Sequence, residues 1–99
     1  MIRGTTPTHI FSLPFDVGIL SAAKIAYAQN GDVKFTKDLT MCETNGNDIS
    51  VKLTQEDTLQ LNDLPVVEIQ IRAKTLSGDV FASKIIKVPI CKCLEAEVI

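Results

Sequence analysis

The stretch Ala23-Lys24-Ile25-Ala26-Tyr27-Ala28-Gln29-Asn30-Gly31-Asp32-Val33-Lys34-Phe35-Thr36 decides the fold. Asn-Gly flanked by alternating apolar residues is the strongest short-range signal for a β-hairpin. Upstream, Ala23, Ile25 and Tyr27 alternate with Lys24, Ala26 and Ala28; downstream, Val33 and Phe35 alternate with Lys34 and Thr36. A two-residue loop would put Tyr27 opposite Lys34 and Ala26 opposite Phe35, splitting the large apolar residues between two faces. A three-residue loop, Gln29-Asn30-Gly31, instead pairs Tyr27 with Val33 and Ile25 with Phe35, all on one side. Gly31 then takes the left-handed position of a type I turn with a G1 bulge. The three-residue register is therefore expected.

Asn45-Gly46 repeats the pattern. A loop of Thr44-Asn45-Gly46 places Met41 opposite Ile49 and Leu39 opposite Val51. A third hairpin is expected at Ser77-Gly78. Its first strand is a nearly ideal half-buried one, with Val67, Ile69 and Ile71 alternating with Glu68, Gln70 and Arg72. The returning strand starts with Phe81 in one parity and continues with Ile86, Val88 and Ile90 in the other. One register cannot serve both halves, so a β-bulge is expected near Ser83–Ile85. Pro89 has no N–H to donate, which sets that end at a sheet edge.

Before the first hairpin, Thr8–Leu13 reads as a strand and Pro14–Leu20 as a loop or short turn. Residues 17–27 also approach helical spacing, but the β-branched and aromatic content after Lys24 favours the strand. In Leu53-Thr54-Gln55-Glu56-Asp57-Thr58-Leu59, Thr54 is a good N-cap and Asp57 occupies the capping-box position, so one helical turn is expected over 54–59. Strands at roughly 8–12-residue spacing with glycine turns predict an all-β fold. The expected form is a two-sheet antiparallel, immunoglobulin-like β-sandwich of about seven strands, with an open barrel as the alternative. Its core is expected to hold Phe11, Leu13, Ile25, Tyr27, Phe35, Ile49, Val51, Leu53, Leu59, Val67, Ile69, Ile71, Ile86 and Val88.

Composition agrees. Ninety-nine residues suit a single domain, 1–99. With 45% hydrophobic and 22% charged residues the chain fits a soluble globular protein and is too apolar to be disordered. Ten basic residues stand against twelve acidic ones, and the basic ones are scattered, so nucleic acid is not an expected partner. No apolar run reaches the ~18 residues that span a membrane. Arg3 and Ala26-Tyr27-Ala28 have parts of a signal-peptide pattern, but Pro14 and Asp16 interrupt the apolar stretch such a leader needs. Three cysteines, an odd number, argue against a disulfide framework and for a reducing compartment.

The chemistry-bearing residues point to no enzyme. His9 is the lone histidine and has no evident partner, and with one histidine Ser12, Ser21, Ser50, Ser77 and Ser83 lack a general base. Cys91-Lys92-Cys93 could point two thiols the same way from a strand, with Cys42 as a third ligand, but structural zinc takes four. Small buried or unreactive thiols explain them better. Glu56, Asp57 and Asp63 lack the spacing and central glycine of a calcium loop. The isolated glycines build no phosphate loop. No catalytic, cofactor-binding or metal-ligating residue is therefore expected, and no cofactor.

Arg3-Gly4-Thr5-Thr6-Pro7-Thr8, leading into His9-Ile10-Phe11-Ser12-Leu13, resembles the start of small β-sandwich proteins encoded by phages and prophages of Gram-positive bacteria. Leu53-Thr54-Gln55-Glu56-Asp57-Thr58 is similar to the Leu-Thr-x-Glu-x-Thr segment that precedes a later strand in such domains. Related modules form the N-terminal, virion-attached part of lower-baseplate and tail-associated proteins. The resemblance implies no active site. It implies a structural or accessory protein that assembles by protein–protein contact, with other phage structural proteins or with itself as a homo-oligomer. It places the chain in the bacterial host cytoplasm during assembly, with the virion as a further location. The chain ends at Ile99 with no receptor-binding or fibre region, unlike the multidomain baseplate proteins, so particle component and accessory protein remain alternatives. A ligand-binding sandwich, for instance for carbohydrate, is the rival reading. It is disfavoured because there is no Trp, one Tyr and four Phe, most of them claimed by core faces.

Overall fold

The structure, a computed structural model, describes residues 1–63 and 65–99. Its strands are β1 (Thr8–Ser12), β2 (Leu20–Gln29), β3 (Asp32–Asp38), β4 (Glu43–Asn45), β5 (Asp48–Lys52), β6 (Val66–Thr75), β7 (Val80–Ala82) and β8 (Ile86–Pro89). Two sheets pack face to face. One has the order β1-β5-β4; the other has β3-β2-β6-β7, with β8 also on β6. Every strand pair is antiparallel.

This order is that of an immunoglobulin sandwich from its second strand onward. That fold sets A-B-E-D against C-F-G, often with an added C′. With β1 as B, β2 as C, β3 as C′, β4 as D, β5 as E, β6 as F and β7–β8 as G, both sheets match in order. Among the described residues no strand occupies the place of A, beside β1. The nearest substitute is the N-terminal segment, where Ile2 makes an isolated parallel bridge to Cys91 beyond β8. There the Met1 amino group donates to the Pro89 carbonyl at 2.8 Å and the Cys91 N–H donates to the Met1 carbonyl at 2.7 Å.

The first hairpin differs from the expected register. Tyr27 pairs with Phe35 and Ile25 with Lys37, while Ala28 pairs with Val33 and Gln29 with Asp32. The loop is the two residues Asn30-Gly31, both at positive φ, 52° and 76°, as a type I′ turn requires. A bulge at Lys34 then advances β3 by one residue and returns Phe35 to the face of Tyr27. The parity conflict is thus resolved inside the strand and not in the loop.

The second hairpin also corrects the expectation. Asn45 pairs with Asp48 and Thr44 with Ile49, so the loop is Gly46-Asn47. Leu39 and Met41 are not strand partners of Val51 and Ile49. They lie in a 3-10 turn, Leu39–Met41, whose cap Asp38 accepts the Thr40 N–H at 3.0 Å. This local hydrogen bond competes successfully with the ladder.

The third hairpin follows the pattern. Arg72 pairs with Ala82, but Ile69 pairs with Ile86, so the return strand gains one residue across Ser83–Ile85. Ser83 Oγ accepts the Ile71 N–H at 3.1 Å and fills the break in the ladder. Helix α1 (Gln55–Leu59) carries the expected capping box between Thr54 and Asp57. Residues 17–27 form no helix beyond a 3-10 turn at Val17–Ile19, and β2 follows.

Ile25, Tyr27, Ile49, Val51, Leu53, Val67, Ile69 and Ile71 are buried, as expected, joined by Val17, Leu20, Ala23, Leu61, Ala73 and Ile90. Phe11, Leu13, Phe35 and Val88 pack at the margin, and Leu59 is only half-buried at the end of α1. Ile86 is not core: it is 45% exposed. Its side chain does face inward, opposite the buried Ile69, so what it lacks is a cover.

Candidate functional site

Two polar pairs lie within or beside the core. His9 on β1 and the fully buried Tyr27 on β2 are hydrogen-bonded, Nδ1 to hydroxyl oxygen, at 2.8 Å, across the two sheets. Their rings stack with centroids 5.7 Å apart, and Phe35 stacks on Tyr27 at 4.7 Å. Burial, and then the positive Met1 amino terminus, holds His9 below the usual histidine range. Burial, with the nearby Cys42 and Asp57, pushes the Tyr27 hydroxyl well above the usual range. A neutral imidazole and a neutral phenol, with Tyr27 closed to solvent, join two sheets.

The second pair is Lys37 on β3 with Asp57 on α1, Nζ to Oδ2 at 2.7 Å, both side chains largely buried. Burial alone would raise the Asp57 carboxyl. The hydrogen bonds from Lys37 and from the Thr54 amide and hydroxyl outweigh it and hold Asp57 below the usual carboxylate value. Sequence spacing revealed the cap but not Lys37, which is twenty residues away in the chain.

The cysteines stand apart in role. Cys42 follows the 3-10 turn and donates to the Asp38 carbonyl at 3.3 Å; burial raises its thiol. Cys91 is exposed and held by backbone bonds to Met1 and Arg3, and Cys93 is half-buried near Gly4. All three are free. Among the described residues no group of three or more His, Cys, Asp or Glu is placed to hold a metal. Of the acidic trio, Asp57 is committed to its cap and to Lys37.

One concave feature among the described residues is apolar. A groove of about 450 Å³ opens between β1 on one sheet and β7–β8 on the other. Phe11, Phe15, Ile71, Phe81 and Ile86 line it, and Ser12 and Ser83 are its only polar side chains. Phe81 lies opposite the buried Ala73, so it points inward, yet it is 48% exposed. Phe15 tilts against it at 5.4 Å between ring centroids. Ile10, 64% exposed, stands at the β1 lip. Both walls are sheet edges: β1 has no partner strand on its outer side, and the edge of β8 is met only at Pro89–Cys91, by Met1–Arg3. The groove thus lies where strand A of the complete fold would sit. Sequence patterning marked Ile86 and Phe11 as inward but gave no hint that their cover is missing, because that depends on strand order.

Compared with protein-family models, with curated proteins and with solved structures, the chain matches none.

Proposed function

We propose that this chain is a non-enzymatic assembly protein of a phage or prophage, a tail- or baseplate-associated structural or accessory component that acts by protein–protein contact. The observation that carries the reading is the apolar groove between two sheet edges. Edge backbone groups supply hydrogen bonds to an added strand, and the apolar floor takes its alternate side chains. With two serines as the only polar lining, the groove suits an extended peptide better than a sugar, which needs converging polar groups. The phage context rests on the resemblance of residues 3–13 and 53–58. On that resemblance the protein acts in the host cytoplasm during assembly, with the virion as a further location if it is a particle component.

The test uses an induced lysogen that expresses the tagged chain. Particles purified on a density gradient should carry it at a fixed ratio to the major tail protein. Phe81→Asp, with unchanged circular dichroism, should be lost from the particle band. Wild-type chain that is absent from the particles and co-purifies with no tail or baseplate protein from the same lysate would overturn the reading.

A further inference from the structure

We propose that the groove between β1 and β7–β8 receives the segment Leu94–Ile99 of a second copy of this chain as the missing strand. This rests on the assembly reading and names the partner. Leu94-Glu95-Ala96-Glu97-Val98 alternates apolar and acidic residues at the period of a strand with one buried face. Leu94 is 97% exposed and Val98 53%, and the segment makes no strand pairing of its own. Its hydrogen bonds to the body of the chain are those of Ile99 with Gln55 and of the Cys93 thiol with the Glu95 carbonyl.

The groove is its complement. Phe81 and Ile86 offer an inward apolar surface without a cover. With Leu94, Ala96 and Val98 turned onto Phe81 and Ile86, the two glutamates face solvent on the outer side of the β1 sheet. The free edge of β1, five residues long, supplies the backbone partners for a strand of similar length. The chain's own segment is hindered from folding back along β8, because Met1–Arg3 already occupies the edge at Pro89–Cys91. Donor and acceptor are different surfaces, so the contact is head-to-tail. It closes as a reciprocal pair or ring, or it propagates.

Light scattering on the purified full chain tests this. Wild type should exceed the monomer mass as concentration rises. Phe81→Asp, which puts a charge on the apolar groove floor, and Leu94→Asp with Val98→Asp, which spoils the strand, should each be monomeric. Mixed together, these two variants retain one intact groove and one intact strand and should form a 1:1 complex. Circular dichroism identifies any variant that fails to fold, and the Leu94/Val98 variant, altered only at exposed residues, then decides. A monomeric wild type, or a Leu94/Val98 variant that associates like wild type, would overturn the proposal. If that same variant is still taken into particles while Phe81→Asp is not, self-docking fails and the assembly reading stands.

Discussion

Gly31 and His9 show how much single residues decide. Gly31 sits at φ 76° with open space around its Cα, so the cost of a side chain there is backbone strain alone. Gly31→Ala should lower stability by about 1 kcal/mol in urea unfolding, the penalty for a left-handed alanine. A neutral result would rule out the type I′ geometry. His9 makes stability depend on pH. Its folded-state value lies below its unfolded value of about 6.5, so the unfolded chain binds the proton first. That contribution is whole above about pH 6.5 and is lost as pH falls through the folded-state value. Asp57, also depressed, adds a second loss that begins near the ordinary carboxylate value and grows on further acidification. The melting temperature should therefore fall in two stages on acidification. His9→Gln should remove the upper stage and leave the lower one, and a profile unchanged by His9→Gln would mean that His9 is not the group responsible.

Between elements, the Lys37–Asp57 pair ties β3 to α1, and it is the contact most sensitive to losing one partner. Lys37→Met leaves the Asp57 carboxylate largely buried without its cation and should cost about 3 kcal/mol. Thr54→Ala removes only a cap bond and should cost about 1 kcal/mol. Equal effects in urea unfolding would show that the ion pair is as weak as a surface one. The capping box was legible because its residues are three apart, and the break at Ser83–Ile85 because a parity change within one strand has few solutions. The registers of the first two hairpins were not legible. Parity alone could not distinguish a longer loop from a two-residue turn followed by a bulge at Lys34. Nor did apolar Leu39 and Met41 disclose that the Asp38 cap would turn them out of the ladder. The His9–Tyr27 and Lys37–Asp57 pairs depend on strand order and sheet packing, which local spacing does not encode.

For the whole molecule, stability and association draw on opposite parts of the sandwich. β2 and β6 form the centre of the larger sheet and carry Ile25, Tyr27, Val67, Ile69 and Ile71, none more than 5% exposed. Ile69→Ala should therefore cost on the order of 2–5 kcal/mol, much of the stability of a domain this small. β1, β7 and β8 are edges, and the side chains they turn inward are only partly covered. Replacing Phe81, already 48% exposed, should change stability far less than replacing Ile69. The sequence marks Ile69 and Ile86 alike as inward apolar positions, and only the strand order separates them: among the described residues no strand takes the place of A beside Ile86, while the layer over Ile69 is filled. Amide exchange should reproduce this division. In dilute solution the β2 and β6 amides should exchange slowest, through global opening, while the β1 amides that point away from β5 should exchange fast. Raising the protein concentration should slow those β1 amides selectively and leave β2 and β6 unchanged, because an added strand protects only the edge it pairs with. Slowing spread evenly over all strands would instead indicate general stabilisation, and β1 would not be the docking edge.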